Sequence, residues 1–297
     1  MEASTVTSAK AVPRARATAA RKPKKDRAPW YMWIAVAAIV LFCLFPFYWL
    51  VNMSLKAGSD LQGSSIVPHH PTLSNYSAIF KNGDFVASLR NSAIVALVTT
   101  AIAIVVASFC AYALARLRIR GKGVILAIVL SISTFPQIAI AAPLFKLWTD
   151  LGIFDTYLGL IIPYLTFALP LSIYILVSFF REIPKDLEEA ALVDGATRFQ
   201  AFRKVVVPLA APGLATAGIL TFIAAWNEFL LAVTLTATTA ARTVPAEISF
   251  FTGATDHQVP YGSIAAASVV ISVPLILLVL LFQKRIVAGL TAGAVKG

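Results

Sequence analysis

Residues 31–53 run for 23 positions without a charge, and five more apolar stretches of 20 or more residues follow, near 91–115, 124–145, 157–180, 209–234 and 263–282. A bilayer with a hydrocarbon core about 30 Å thick asks about 20 apolar residues of any helix that crosses it, at ~1.5 Å of rise per residue. The chain is therefore expected to be an all-α integral membrane protein with six transmembrane helices. Only 13% of its 297 residues are charged and 59% are hydrophobic, whereas soluble domains carry roughly 25% charge. The first run is longer than the about 7–15 residues of a signal-peptide core and lacks a small-residue cleavage site after it, so it is expected to stay in the mature protein.

Orientation follows from Lys and Arg. Twenty of the 25 fall in residues 1–29, in the loop with Arg116, Arg118, Arg120 and Lys122, in residues 181–208, and in the final tail with Lys284, Arg285 and Lys296. The positive-inside rule then puts both termini in the cytosol. Residues 1–29 carry eight of these cations and no apolar periodicity, and are expected to form a disordered basic tail rather than a transit peptide. The net charge of +11 is accounted for by these loops, so no nucleic-acid partner is expected. The domain division read here is 1–29, a six-helix body 30–287 and a cytosolic tail 288–297, with no internal repeat. Residues 54–90, with a short surface helix, and 235–262 are expected outside.

Prolines mark where helices should deform. Pro46 and Pro274 should kink the first and sixth spans, and Pro163 and Pro170 should break the fourth; the third is expected to run through Pro136 and Pro143. Cys43 and Cys110 lie in apolar runs and read as small buried hydrophobes. His69, His70 and His257 lie in polar loops with no metal-ligand spacing. Asn91 and Ser92 are placed to cap the second span, and Arg116 suits its C-terminal end.

Residues 183–208, IPKDLEEAALVDGATRFQAFRKVVVP, form the only long polar segment between apolar runs. Pro184 suits a first helical position, and Asp186, Glu188 and Glu189 complement the start of that helix. Leu187, Ala190 and Ala191 share a face, and two alanines leave it shallow enough for close approach. Gly195 can end the helix in the left-handed conformation, and Thr197 with Gln200 forms a capping box for the next. A docking surface and an amphipathic hairpin lying on the membrane both fit this pattern.

Glu228, in Ala225-Trp226-Asn227-Glu228-Phe229, is the only carboxylate placed within a span. An intramembrane charge is costly and marks a functional candidate, with a paired or snorkelling residue near the outer boundary as the plainer reading. The sequence contains no G-x-x-x-x-G-K-[ST] phosphate loop, so no ATP site is expected in the chain itself. No catalytic constellation is apparent, and no metal or other cofactor is expected.

Glu189-Ala190-Ala191, then Gly195, then Val205, Val207 and Pro208 resemble the EAA loop of ABC importer permeases, with valines replacing the usual Ile and Leu. Asp194-Gly195-Ala196 with Gln200 and Phe202 is similar to the carbohydrate-importing, maltose-importer branch. So are Asn91-Ser92 and Ala111-Tyr112-Ala113-Leu114-Ala115-Arg116. The C-terminal run from Phe282 to Thr291 and Gly293 to Gly297 is especially like the second permease subunit of trehalose importers.

This resemblance implies a type I ABC importer permease fold in the plasma or inner membrane. It implies a second homologous permease, two ATPase subunits carrying ATP and Mg, and an external substrate-binding protein. Glu188, Glu189, Ala190, Ala191, Asp194 and Gly195 would then dock on an ATPase. Trp226, Asn227 and Glu228 would line the translocation path, Trp226 stacking on a sugar face and the other two accepting hydroxyl hydrogen bonds. The implied cargo is a sugar, a disaccharide such as trehalose. The alternative from the charge alone is an ion-coupled secondary transporter using Glu228 as its proton site.

Overall fold

The computed structural model describes residues 29–63, 65–251 and 260–292, with side chains 59, 62 and 284–292 outside the description. It divides at Pro46 into two units, Met1–Pro46 and Phe47–Gly297. Helix α1, Trp30–Ser54, continues through Pro46, as proline-containing helices do in lipid when neighbouring groups satisfy the freed carbonyl. In the first unit its side chains are exposed, Phe42 at 81% and Cys43 with it. That corrects the expectation of a buried thiol: an uncharged helix this bare needs lipid or another protein around it.

The second unit continues with a 3-10 turn, Gly58–Gln62, and then α2 (Ser74–Lys81), α3 (Gly83–Arg116), α4 (Lys122–Ser133), α5 (Gln137–Asp150) and α6 (Tyr157–Glu182). There follow α7 (Lys185–Val193), α8 (Arg198–Ala201), a π turn over Phe202–Val206, α9 (Val207–Leu209), α10 (Ala211–Trp226), α11 (Leu230–Leu235), α12 (Val244–Ile248) and α13 (Tyr261–Ala292). Among the described residues, four helices are long and apolar enough to cross a membrane, or up to six if each of two bent pairs counts as one span. The core lies where α3, α6 and α10 meet. Ala107, Ala111 and Leu114 pack there with Leu176, Val177, Phe180 and Ala217. Alanines on α3 let the helix axes approach, as small residues do in membrane bundles.

A glycine makes the same kind of contact between α6 and α10. A Cβ built on Gly213 would lie 2.3 Å from Cγ and 2.8 Å from Cβ of Phe179, near the root of that side chain, where it cannot swing aside. Gly213→Ala is expected to destabilise the chain by about 1–3 kcal/mol through overpacking. Thermal unfolding in detergent should show a lower midpoint than Gly218→Ala, where the nearest side-chain atom is 3.8 Å away.

Several spans differ from their sequence reading. The third is two helices, α4 and α5, bent by 80°, because Pro136 lacks a donor and disfavours helical backbone before it. The fourth is unbroken despite Pro163 and Pro170. The carbonyl that Pro163 leaves free is that of Gly159, and the Trp148 indole N–H donates to it at 2.7 Å. The fifth begins after a 75° bend between α9 and α10 and stops at Trp226, short of residue 234. The sixth helix reaches Ala292, so residues 288–292 are helical where a tail was expected, while 293–297, like the basic segment 1–28, lie outside the described residues.

Helix α3 starts at Gly83, and its cap is Asn82, whose side chain accepts from the Asp84 N–H at 3.0 Å. Asn91 and Ser92 are thus buried mid-helix and not caps. Asn91 Nδ2 donates to the carbonyls of Thr239 (2.9 Å) and Arg242 (3.0 Å), and its Oδ1 accepts from the Tyr157 hydroxyl. Ser92 Oγ accepts from the Val244 N–H. Together with Asp155, which accepts from the N–H groups of Ala237 and Thr238, they fasten the α11–α12 connection to α3 and α6.

Nearer the chain's start, Asp60 accepts from the N–H groups of His69 and His70 and contacts His69 Nδ1 at 3.1 Å. Desolvation pushes its carboxyl upward, but the His70 and His69 donors and the His69 charge more than offset this and hold it below its usual range.

Candidate functional site

After α6 ends, Ile183 and Pro184 are extended, and Pro184 is the N-cap of α7 rather than its first helical residue. Helix α7 closes on a two-bond turn. The Gly195 N–H donates to Leu192 O (3.1 Å) and the Ala196 N–H to Ala191 O (2.9 Å), the Schellman pattern. Gly195 has φ +87°, and no atom lies within 4 Å of where its Cβ would be. The position therefore needs glycine for its backbone angle and not for space. Thr197 and Gln200 form the expected reciprocal capping box, at 2.8 and 3.2 Å.

The open face of this knob carries Leu187, Glu189, Ala190, Val193, Asp194, Gly195 and Phe199, with Ala191 half-buried. Val193 is 87% exposed, and Leu187 and Phe199 are exposed with it.

Glu188 does not belong to that face. It is buried, and its carboxylate turns inward to the end of α3. Tyr112 donates its hydroxyl to Oε1, and Arg116 Nε lies 3.5 Å from Oε2, with both side chains nearly sealed from solvent. Arg116 Nη2 also donates to the Ile183 carbonyl at 2.7 Å. Below, the Tyr112 ring packs at 4.9 Å on Phe202, the first residue of the π turn, and Phe180 of α6 meets the Phe202 ring edge-on. A cleft of about 470 Å³ beside the pair is lined by Arg118, Lys185, Glu189 and Arg198. Sequence reasoning missed this cluster, although Tyr112 and Arg116 stand four apart on one helical face.

The second group of candidates lies at the end of α10. Trp226 is buried, stacked on Phe222, and its indole N–H donates to Ile271 O at 3.2 Å. Asn227 is exposed, with Nδ2 donating to Ile223 O. Glu228 is 8% exposed, and its two oxygens accept the N–H groups of Leu231 (2.7 Å) and Ala232 (3.0 Å). The carboxylate thus caps α11, and the otherwise unpaired donors at that helix start offset the cost of burying it. The geometry gives Trp226 and Glu228 a part in holding the break between α10 and α11.

Helices long and apolar enough to cross a bilayer, interrupted by an exposed helix–turn–helix, are the architecture of a membrane protein. Residues 103–291 match the family described as binding-protein-dependent transport system inner membrane component. The trehalose transport system permease protein SugB of Mycobacterium tuberculosis is 52% identical over 266 residues, covering 89% of this chain and 97% of that one. The trehalose/maltose transport system permease protein MalG of Thermococcus litoralis is 42% identical, covering 89% and 95%. A solved bacterial ABC transporter involved in the import of the acidic polysaccharide alginate superposes with a TM-score of 0.73 at 25% identity, over 86% of this chain and 94% of that one. The chain belongs to the binding-protein-dependent transport system inner membrane component family and has the type I ABC importer permease fold.

Proposed function

We propose that this chain is a membrane-spanning subunit of an ATP-driven sugar importer, and that its cargo is a disaccharide such as trehalose. The observation that carries the mechanism is the small-residue stretch of α7 at Ala190 and Ala191, ended by a left-handed turn at Gly195. Such a surface fits a groove closely and passes a push along a short rigid helix. On this reading the positively charged loops place α7 and both termini in the cytosol of a cell whose plasma or inner membrane holds the protein. Two ATPase subunits, which bind ATP and Mg, dock there; a second permease completes the path, and an external binding protein delivers the sugar. The trehalose and trehalose/maltose permeases among its relatives support the cargo.

Glu189, Ala190, Ala191, Asp194 and Gly195 form the docking face. Glu188 backs it from within. Of the three path candidates, Asn227 has the exposed side chain that can meet a sugar hydroxyl, whereas Trp226 and Glu228 hold the helix break beside it. Docking is tested by pull-down of the ATPase subunit on purified permease pairs. Ala191→Asp, which puts a charge and a carboxyl group on the contact face, is expected to reduce ATPase recovery at least tenfold with normal membrane insertion. Full recovery would remove α7 as the docking element.

A further inference from the structure

Helix α7 also carries, three residues before Ala191, the buried Glu188 of a cluster with Tyr112 and Arg116, and this cluster ties four pieces of chain to one point. Glu188 belongs to α7, Tyr112 and Arg116 to the last turn and a half of α3, and the Ile183 carbonyl to the exit from α6. Tyr112 also rests on Phe202, where the helix after the knob opens into a π turn. Such turns are local departures from regular helix that are frequent at functional sites. Among the described residues, the Arg116–Glu188 contact is the ion pair that joins α7 to the rest of the chain.

We infer that Glu188, with Tyr112 and Arg116, is a positioning latch that transmits displacement of α7 to α3, and that without it ATP hydrolysis runs on uncoupled from transport. This rests on the proposed docking of an ATPase on α7. The physical reason is stiffness. An apolar contact lets helices slide, since dispersion has little directionality. The Glu188 carboxylate instead accepts the Tyr112 hydroxyl on one oxygen and has, 3.5 Å from the other, a guanidinium itself anchored to the Ile183 carbonyl, so displacing it costs a buried hydrogen bond and separates buried opposite charges. A push on the open face of α7 therefore moves the end of α3 rather than tilting α7 over it. Helix α3 in turn carries Asn91 and Ser92, which fasten the α11–α12 connection more than 20 residues further along. One helix thus joins the knob to the segment that follows the α10–α11 break.

The experiment uses the complete assembly of permease pair, ATPase subunits and binding protein in proteoliposomes, and reads ATP hydrolysed per sugar transported in the same preparation. Glu188→Gln keeps the shape and loses the charge; Arg116→Gln does the same from the other side. Both are expected to retain ATPase subunits at wild-type stoichiometry and hydrolysis within about twofold, while transport falls about tenfold, so the ratio rises about tenfold. Arg116→Lys, which keeps the charge, is expected to recover part of the loss. A ratio that stays at the wild-type value, whether both rates fall together or neither does, overturns the latch and leaves the cluster a packing device. If the Gln variants fail to assemble, Tyr112→Phe, which removes one hydroxyl and keeps the ring on Phe202, decides by the same ratio: a rise supports the latch and no rise overturns it. Wild-type chain that binds no ATPase would instead sink the docking reading beneath it.

Discussion

Gly195→Val is expected to abolish uptake while leaving the chain inserted in the membrane and its helices formed. The turn after α7 holds this residue at φ +87°, where a β-branched side chain collides with its own backbone. The strain is of order 1–3 kcal/mol, too small to unfold the bundle but enough to reshape a two-bond turn. Relaxing it means giving up the bonds to Leu192 O and Ala191 O, and the exposed end of the knob then loses its shape. Because nothing lies within 4 Å of the Cβ position, size alone is not the obstacle, and the order of variants is diagnostic. Gly195→Asn, tolerated in the left-handed region, should keep substantial uptake. Gly195→Asp should keep the turn nearly as well yet block uptake by adding a charge to the docking face. Uptake in reconstituted vesicles checks the series, and a valine variant transporting at the wild-type rate would mean that this turn carries no force.

The second large effect is expected at Glu228, and it concerns folding. Glu228→Ala removes the acceptor from two buried N–H groups, those of Leu231 and Ala232, and each unpaired donor costs about 1–3 kcal/mol. A loss of about 2–5 kcal/mol should appear as a much lower unfolding midpoint in detergent and poor recovery from membranes. Glu228→Gln retains one good acceptor oxygen and should fold substantially better than the alanine variant. The same pair distinguishes the capping role from the ion-coupled alternative, for which nothing in the relatives gives support. A proton site would lose transport with glutamine as completely as with alanine, whereas a cap should leave transport by the folded glutamine variant largely intact.

The contrast between Glu188 and Glu189 explains how much of the site was legible. Both carboxylates sit at the start of a short helix and both suit its dipole, so adjacent positions look alike in one dimension. A helix turns about 100° per residue, and the choice of which one faces inward depends on what lies across from it. That is Tyr112 and Arg116, 76 positions away for the tyrosine. Gly195, Thr197 and Gln200 were readable because caps and turns are made by residues within a few positions of one another.

The same division runs through the prolines. Local chemistry says that each one removes a donor, and the outcome was a sharp bend at Pro136 but a continuous helix at Pro163. The difference is the Trp148 indole, which reaches the carbonyl that Pro163 freed. Asn91 and Ser92 were misread as caps for a related reason: their partners, Thr239, Arg242 and Val244, are about 150 residues downstream.

The sequence by itself determined that this chain belongs in a bilayer, roughly where its apolar helices run, and where a small polar knob interrupts them. Those properties depend on the hydropathy of contiguous residues and on short-range backbone chemistry. Tertiary structure decided which carboxylates are buried, which prolines bend a helix and what each buried polar side chain holds. A polar group in a nearly dry interior must find a partner wherever the fold supplies one, and the distance along the chain to that partner carries no local trace.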